Sequence, residues 1–403
     1  MNTPTSSTPS PAGGTADWLR RVGCITTSRA DAGIYHPLLA ALTAEPAWEV
    51  MCLAGGTHLS SDFGHTIEAF SDMPQLTTVP VDHLIPGDGP VEVATTAGRA
   101  VEQYSHALAV DRPDLVFVLG DRTEMLAATL AALIHAIPIA HLHGGDVTEG
   151  AYDNQCRHAI SKLSHVHFAA LPEHAERITG MGEESWRVHI VGGLALDVLR
   201  NFKPSSVSEL STAVGLDFSR PTVVVVFHPE TLHPWPAARQ VDELLLGLHA
   251  LDANLLLIGP NADVGHHAIR EALQRFAASR ENACLVSSLS QHRYWSCLTH
   301  AAVLVGNSSS GIIEAAGFSL PVVNVGDRQT GRLRPANVLD AAMDRGEIAA
   351  ALHTAVEPAF REGLRGLANP YGDGHAADRI IAALHILPDR EKLLHKRWPT
   401  RPA

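Results

Sequence analysis

Aromatic residues are scarce in this 403-residue sequence, at 5%, and the apolar content of 45% rests mainly on Ala, Val and Leu. That composition suits helices packed on buried parallel strands in a globular protein. Cysteines are few. Cys24, Cys52, Cys156, Cys284 and Cys297 are scattered without C-x-x-C spacing. This excludes a disulfide framework and fits the reduced thiols of a cytoplasmic chain. No Lys/Arg stripe is present, and the formal net charge of −13 repels polyanions, so nucleic acid is excluded as a partner. The start, MNTPTSSTPSPAGGTAD, lacks a basic region followed by an apolar block. It is expected to be a disordered tail over residues 1–18, neither signal nor anchor. No long apolar run exists either. The most apolar stretch, Met125 to Leu142, is interrupted by His135, Pro138 and His141 and divides into a helix and a strand, so no membrane contact is expected. G-x-G-x-x-G, G-x-x-x-x-G-K-[ST] and G-x-S-x-G are all absent, which argues against a dehydrogenase, a P-loop NTPase and a serine hydrolase.

What is there is a series of short Val/Ile/Leu runs alternating with Ala-rich amphipathic stretches, the pattern of right-handed βαβ units. The spacing predicts strands at 22–27, 48–54, 115–119, 138–142, 166–169 and 188–191. A polar segment, NFKPSSVSE, then precedes the β-branched run TVVVVF at 222–227, with further strands at 253–258, 283–286, 301–305 and 321–324. The fold class is therefore α/β with two doubly wound, Rossmann-like parallel sheets: a first domain over 19–197 and a second over 198–373.

Ligands of such sheets sit beyond the carboxyl ends of the strands, where this sequence is unusually polar. GNSSSGIIE joins a strand to a helix, so Ser308, Ser309, Ser310 and Gly311 form either an anion cradle or an ordinary helix cap, with Glu314 one turn further in. GDRQTGR brings Arg328 to a strand end, as a phosphate clamp or a surface ion-pair loop. HLHGGD puts His141 and His143 two residues apart, on one face of a strand, with Asp146 beyond. Two such ligands do not make a tetrahedral zinc site, so no metal is expected, and acid/base or substrate contact is favoured. GDRTE places Asp121 where a closed cleft would desolvate it and raise its pKa, or where it caps a helix. FHPET places His228 at a strand tip, where an imidazole can exchange protons near neutral pH.

In order, SRADAGIYHPLL, GTHLSSDFGHT, GDRTEMLAATLAALIHAIPIAHLHGGDVTEGAYDNQCRHAISKLSHVHF, FHPET, GPNAD, SSLSQHRYWSCLTHAAVLVGNSSSGIIEA and GDRQTGRLRPANVLD resemble the UDP-N-acetylglucosamine 2-epimerase family. The likeness runs from about Gly23 to Asn337, and HGGDVTEG and FHPET are similar to its hydrolysing branch, which serves sialic and related nonulosonic acid synthesis. The resemblance implies a GT-B-like fold, with a last helix in 374–403 crossing back to the first domain. It implies a UDP-sugar substrate, no cofactor, and a homodimer or homotetramer. The implied reaction is anti elimination of UDP to a 2-acetamidoglucal, followed by hydration with inversion at C2. Asp121, Asp153 and His228 match the family's acid/base positions. Arg29, Asn261, Ser308, Ser309, Ser310, Gly311, Glu314 and Arg328 match its phosphate, ribose and uracil contacts. Where many relatives read H-x-E-x-G this chain has His143, so the role of that carboxylate passes to His143 or Asp146. The competing readings are a non-hydrolysing epimerase, a GT-B glycosyltransferase and a non-catalytic sugar-nucleotide sensor, and a GDP carrier or a more decorated 2-acetamido sugar also fits.

Overall fold

The computed structural model describes residues 16–71 and 73–398. The first sheet is formed by β1 (Arg21–Thr26), β2 (Glu49–Gly55), β3 (Leu76–Val81), β4 (Leu115–Leu119), β5 (Ile139–Leu142), β6 (Val166–Ala169) and β7 (Val188–Ile190), in the order β3-β2-β1-β4-β5-β6-β7. The second is formed by β8 (Thr222–Val226), β9 (Asn254–Ile258), β10 (Ala283–Val286), β11 (Val303–Gly306), β12 (Val322–Val325) and β13 (Val338–Ala341), in the order β10-β9-β8-β11-β12-β13. All strand pairs are parallel. Central strands are largely apolar because helices cover both faces: LVFVL in β4 and TVVVV in β8 are buried at every position. Strand order reverses between β1 and β4 and between β8 and β11, and each reversal opens a crevice at the carboxyl ends.

Two strands lie outside the expected set, and both are sheet edges. β3 reads LTTVPV, and Pro80 is tolerated there because an edge strand has one side free of ladder bonds. β13 is the four-residue VLDA, interrupted by Asp340 and buried only at Ala341.

The chain leaves the first core at Leu194 and enters the second at Ala195. It returns beside that crossing, where Gly193 N donates to the Tyr371 carbonyl at 2.7 Å. The helix Ala376–His385 then packs Ala376, Ala377, Ile380, Ala383 and Leu384 into the first core beside Leu38 and Leu39. Ile380 and Leu384 are fully buried and contribute about 1.5–3 kcal/mol each to holding that helix on the first domain. Residues 1–15 of the expected tail lie outside the described residues. Trp18 does not belong to such a tail, since its indole donates to the Pro388 carbonyl at 3.0 Å. Among the described residues no helix is long and apolar enough to cross a membrane.

Candidate active site

The carboxyl ends of the two sheets face each other across one cleft, lined from both domains. On the first domain's side, Asp121 follows β4 directly after Gly120, and Asp153 opens the helix Asp153–Leu163. Arg157 sits four residues further along that helix, on the same face. Its buried guanidinium pairs with the Asp121 carboxylate and donates to Thr148 Oγ1 at 2.9 Å and to the His143 carbonyl at 3.1 Å. Asp146 lies deeper, 2.9 Å from Arg332 Nη2, which reaches across from the second domain, and 3.3 Å from His174 Nε2. Burial pushes the Asp146 carboxyl up, but Arg332, Arg157 and His174 outweigh it and bring it to about 2. Asp153 goes the other way. Burial, with Asp121 and Asp263 nearby, raises its carboxyl to about 7 despite Arg328 at 3.5 Å. His143 has left the strand in a left-handed turn at φ 59°. Burial lowers its imidazole to about 4, so it is neutral, and Nε2 is buried without a partner.

On the second domain's side, the peptide of His228 is clamped by Asn307, which accepts from its N–H at 2.8 Å and donates to its carbonyl at 2.9 Å. The Asn261 N–H donates to His228 Nδ1 at 3.2 Å, so the ring proton sits on Nε2. Burial, with Arg328 beside it, lowers this imidazole to about 3. The turn after β11 begins at Gly306, whose φ of 132° and close approach to the Val226 carbonyl leave no room for a Cβ. Ser308 then caps the short helix Ser309–Ile313. Its hydroxyl lies 3.0 Å from Ser310 Oγ, which is 2.6 Å from the Tyr294 hydroxyl. Arg29, from the first domain, is within electrostatic reach of Tyr294. Its Nη1 is buried and unpaired, and burial lowers it only to about 10, leaving a cation at neutral pH. Arg328 donates to the Asn307 carbonyl at 3.3 Å, and its Nε is likewise buried and unpaired. Trp295 Nε1 donates to Glu314 at 2.6 Å, and burial raises that carboxyl to about 7. The cleft thus has a cationic, hydroxyl-rich end suited to a diphosphate and a carboxylate–imidazole end suited to proton transfer.

Residues 40–385 match the family model described as UDP-N-acetylglucosamine 2-epimerase. The chain belongs to the UDP-N-acetylglucosamine 2-epimerase family. It is 32% identical over 381 residues, 94% of this chain and 99% of the relative, to the UDP-N,N'-diacetylbacillosamine 2-epimerase (hydrolyzing) of Legionella pneumophila. It is also 32% identical to the GDP/UDP-N,N'-diacetylbacillosamine 2-epimerase (hydrolyzing) of Campylobacter jejuni, over 81% of this chain and 85% of that one. The fold is that of the Neisseria meningitidis UDP-GlcNAc 2-epimerase solved with UDP-GlcNAc: TM-score 0.76 at 17% identity, covering 90% of this chain and 99% of that one.

Most positions singled out from the sequence of this epimerase-family chain line the cleft: Arg29, Asp121, His143, Asp146, Asp153, His228, Asn261, Ser308, Ser309, Ser310, Glu314 and Arg328. Gly311 does not; it backs onto β12, where an added Cβ would meet Val322 Cγ1 at 3.0 Å, so its smallness serves helix–strand packing. His141 and His143 do not share a face. His141 stays in β5 with its ring between Ser161 Oγ and the Gly120 carbonyl, while the left-handed turn swings His143 into the cleft. Asp121, expected to be either a desolvated base or a helix cap, is paired with Arg157, and the N-cap position of helix Thr123–Ile134 is Arg122 rather than Asp121. At His228, expected to exchange protons near neutral pH, burial lowers the imidazole to about 3, and the Asn261 N–H on Nδ1 makes the ring an Nε2–H donor. Glu314 already accepts one hydrogen bond, from Trp295.

Sequence reasoning missed Arg157, Arg332 and the Arg122–Asp263 pair, whose charged atoms are 3.9 Å apart across the cleft. The spacing Asp153-x-x-x-Arg157 on a helix is the one signal that would have found Arg157.

Proposed function

We propose that this protein is a hydrolysing 2-epimerase that releases UDP and a free, C2-inverted sugar from a UDP-linked 2-acetamido hexose, one of the N,N'-diacetylbacillosamine type. The observation that carries this reading is the pairing, in one cleft, of a carboxyl raised to about 7 at Asp153 with the diphosphate-binding chemistry of Ser308, His228 and Arg328. The sugar type is supported by the names of the Legionella and Campylobacter relatives.

The C2 hydrogen of such a substrate is a weak acid, so a base with a pKa near the working pH is the efficient one. Asp153 fits that requirement because burial, with Asp121 and Asp263 nearby, opposes its ionisation. Arg157 holds the Asp121 carboxylate in position in the same cleft. As Asp153 takes the proton, electrons move into C1=C2 and the diphosphate departs with the C1–O pair. In this reading Arg29, Arg328 and the His228 Nε2–H stabilise the charge developing on that oxygen, a role supported by their common position in the cleft lining. Water then adds across the glucal double bond, with hydroxyl to C1 and a proton to the opposite face of C2. His143, neutral and with a free Nε2, is our candidate for relaying that proton: Nε2 accepts it from the adding water and passes it to C2, with the Asp146 carboxylate behind it stabilising the transient imidazolium. The reading includes a cytoplasmic location, supported by free cysteines, and a homodimer or homotetramer.

The test is product analysis on UDP-N-acetylglucosamine, UDP-N,N'-diacetylbacillosamine and its GDP counterpart. Free UDP with an equal amount of 2-epimerised free sugar is the expected outcome, fastest with the UDP-linked diacetamido substrate. A UDP-linked product epimerised at C2, sugar transfer to an acceptor, or tight binding without turnover would each replace this reading with another.

A further inference from the structure

Helix His266–Ala278 of the second domain starts without a cap of its own, since its N-cap position is Gly265 and offers no side-chain oxygen. The four N–H groups of a helix start are normally satisfied by such an oxygen. Here the first domain supplies it. Asp88, presented on the turn PGDGP between Gly87 and Gly89, accepts from the Gly265 N–H with its carbonyl at 3.2 Å. Its carboxylate accepts from the His267 N–H at 2.8 Å and lies 3.1 Å from His267 Nδ1 and 3.8 Å from His266 Nδ1. A carboxylate at this end of a 13-residue helix also meets the positive end of its dipole. A second point of contact lies beside the first: Phe63 packs on His266 at 5.9 Å between ring centres, and Arg270 covers the same phenyl ring at 5.2 Å.

The capped helix leads directly to the cleft. His266 Nδ1 donates to the Asp263 carbonyl at 2.9 Å, and Asp263 lines the cleft opposite Arg122. Two residues before it, Asn261 sets the His228 tautomer through its N–H. One carboxylate of the first domain therefore anchors the loop that orients the second domain's imidazole.

We propose that Asp88 is a positioning residue: by capping helix His266–Ala278 across the cleft, it clasps the two domains shut and fixes the loop carrying Asn261 and Asp263 against the bound sugar nucleotide. The clasp makes a specific contribution to the elimination chemistry proposed above, on which that part of the inference rests. A glucal formed in a closed cleft stays until water adds, whereas a cleft that opens early loses it to solvent.

The experiment compares wild type with Asp88→Ala and Asp88→Asn in the full chain. Small-angle scattering is recorded with and without UDP, and turnover is resolved into kcat, KM and the fraction of product released as 2-acetamidoglucal. The Ala variant is expected to have a larger radius of gyration and a KM raised about tenfold, the fall in population of the closed state appearing as lost affinity. It is also expected to release glucal that wild type retains. Asn keeps an oxygen for the His267 N–H and is expected to recover most of the KM. An Ala variant with wild-type scattering, KM and glucal release overturns the proposal. If wild type turns over no sugar nucleotide, the functional reading fails, and scattering of the ligand-free proteins alone decides the clasp: equal radii overturn it.

Discussion

Replacing Asp153 by Asn is expected to lower turnover by orders of magnitude while making the protein more stable at alkaline pH. The folded protein holds the Asp153 proton more tightly than the unfolded chain does, with its carboxyl raised from 3.8 to about 7 by burial and by Asp121 and Asp263. A group shifted in this direction stabilises the fold fully below its unfolded value, and that contribution is lost as pH rises from about 4 to about 7. At pH 8 the buried charge opposes folding by at most about 4 kcal/mol, an upper bound because the opposing charges and Arg328 relax with it. Asn removes that opposition, so the melting temperature at pH 8 is expected to rise by roughly 2–10 °C, whereas at pH 4 wild type and variant should coincide. Turnover is expected to fall by about 10²–10⁴, the range for a lost general base, with UDP affinity kept. Calorimetry at both pH values, with initial rates and a UDP titration, checks all three. A variant that retains turnover, or that is less stable than wild type at pH 8, refutes the assignment.

Arg157→Met leaves Asp121 and Asp146 without their shared cation and is expected to cost about 3–5 kcal/mol in urea unfolding at pH 7.5; a loss under about 1 kcal/mol would contradict the network. His228→Gln is expected to lower kcat/KM by about 10²-fold. Because burial keeps this imidazole neutral, that loss should be the same at every pH from about 6 to 8, and a loss varying with pH across the range would restore His228 as a proton carrier. Gly306→Ala puts a Cβ onto the Val226 carbonyl at φ 132°, and should cost at least about 1–3 kcal/mol by thermal melt and displace the Ser308 turn, seen as weaker UDP binding.

The sheet centres were legible because β4 and β8 are continuous β-branched and aliphatic runs, which only strands covered on both faces tolerate. The edges were not. Pro80 argues against a strand until its edge position is known, and VLDA is a four-residue run broken by Asp340. The cleft residues could be read because a doubly wound sheet sends strand ends to one side, so polar residues after apolar runs converge. What that rule cannot supply is pairing across elements. Arg157 meets Asp121 from another element, and Arg332 reaches Asp146 from the other domain. Nor does spacing foresee a local backbone reversal: the left-handed turn at His143 separates it from His141, which alternation alone would have kept on the same face.

The central claim is that this cleft removes the C2 proton and expels the nucleotide, and running the reaction in D₂O tests it most directly. NMR and mass spectrometry of the released sugar should find one deuterium at C2, inverted configuration there, and one free UDP per sugar. A released sugar that keeps its original C2 hydrogen would contradict the account.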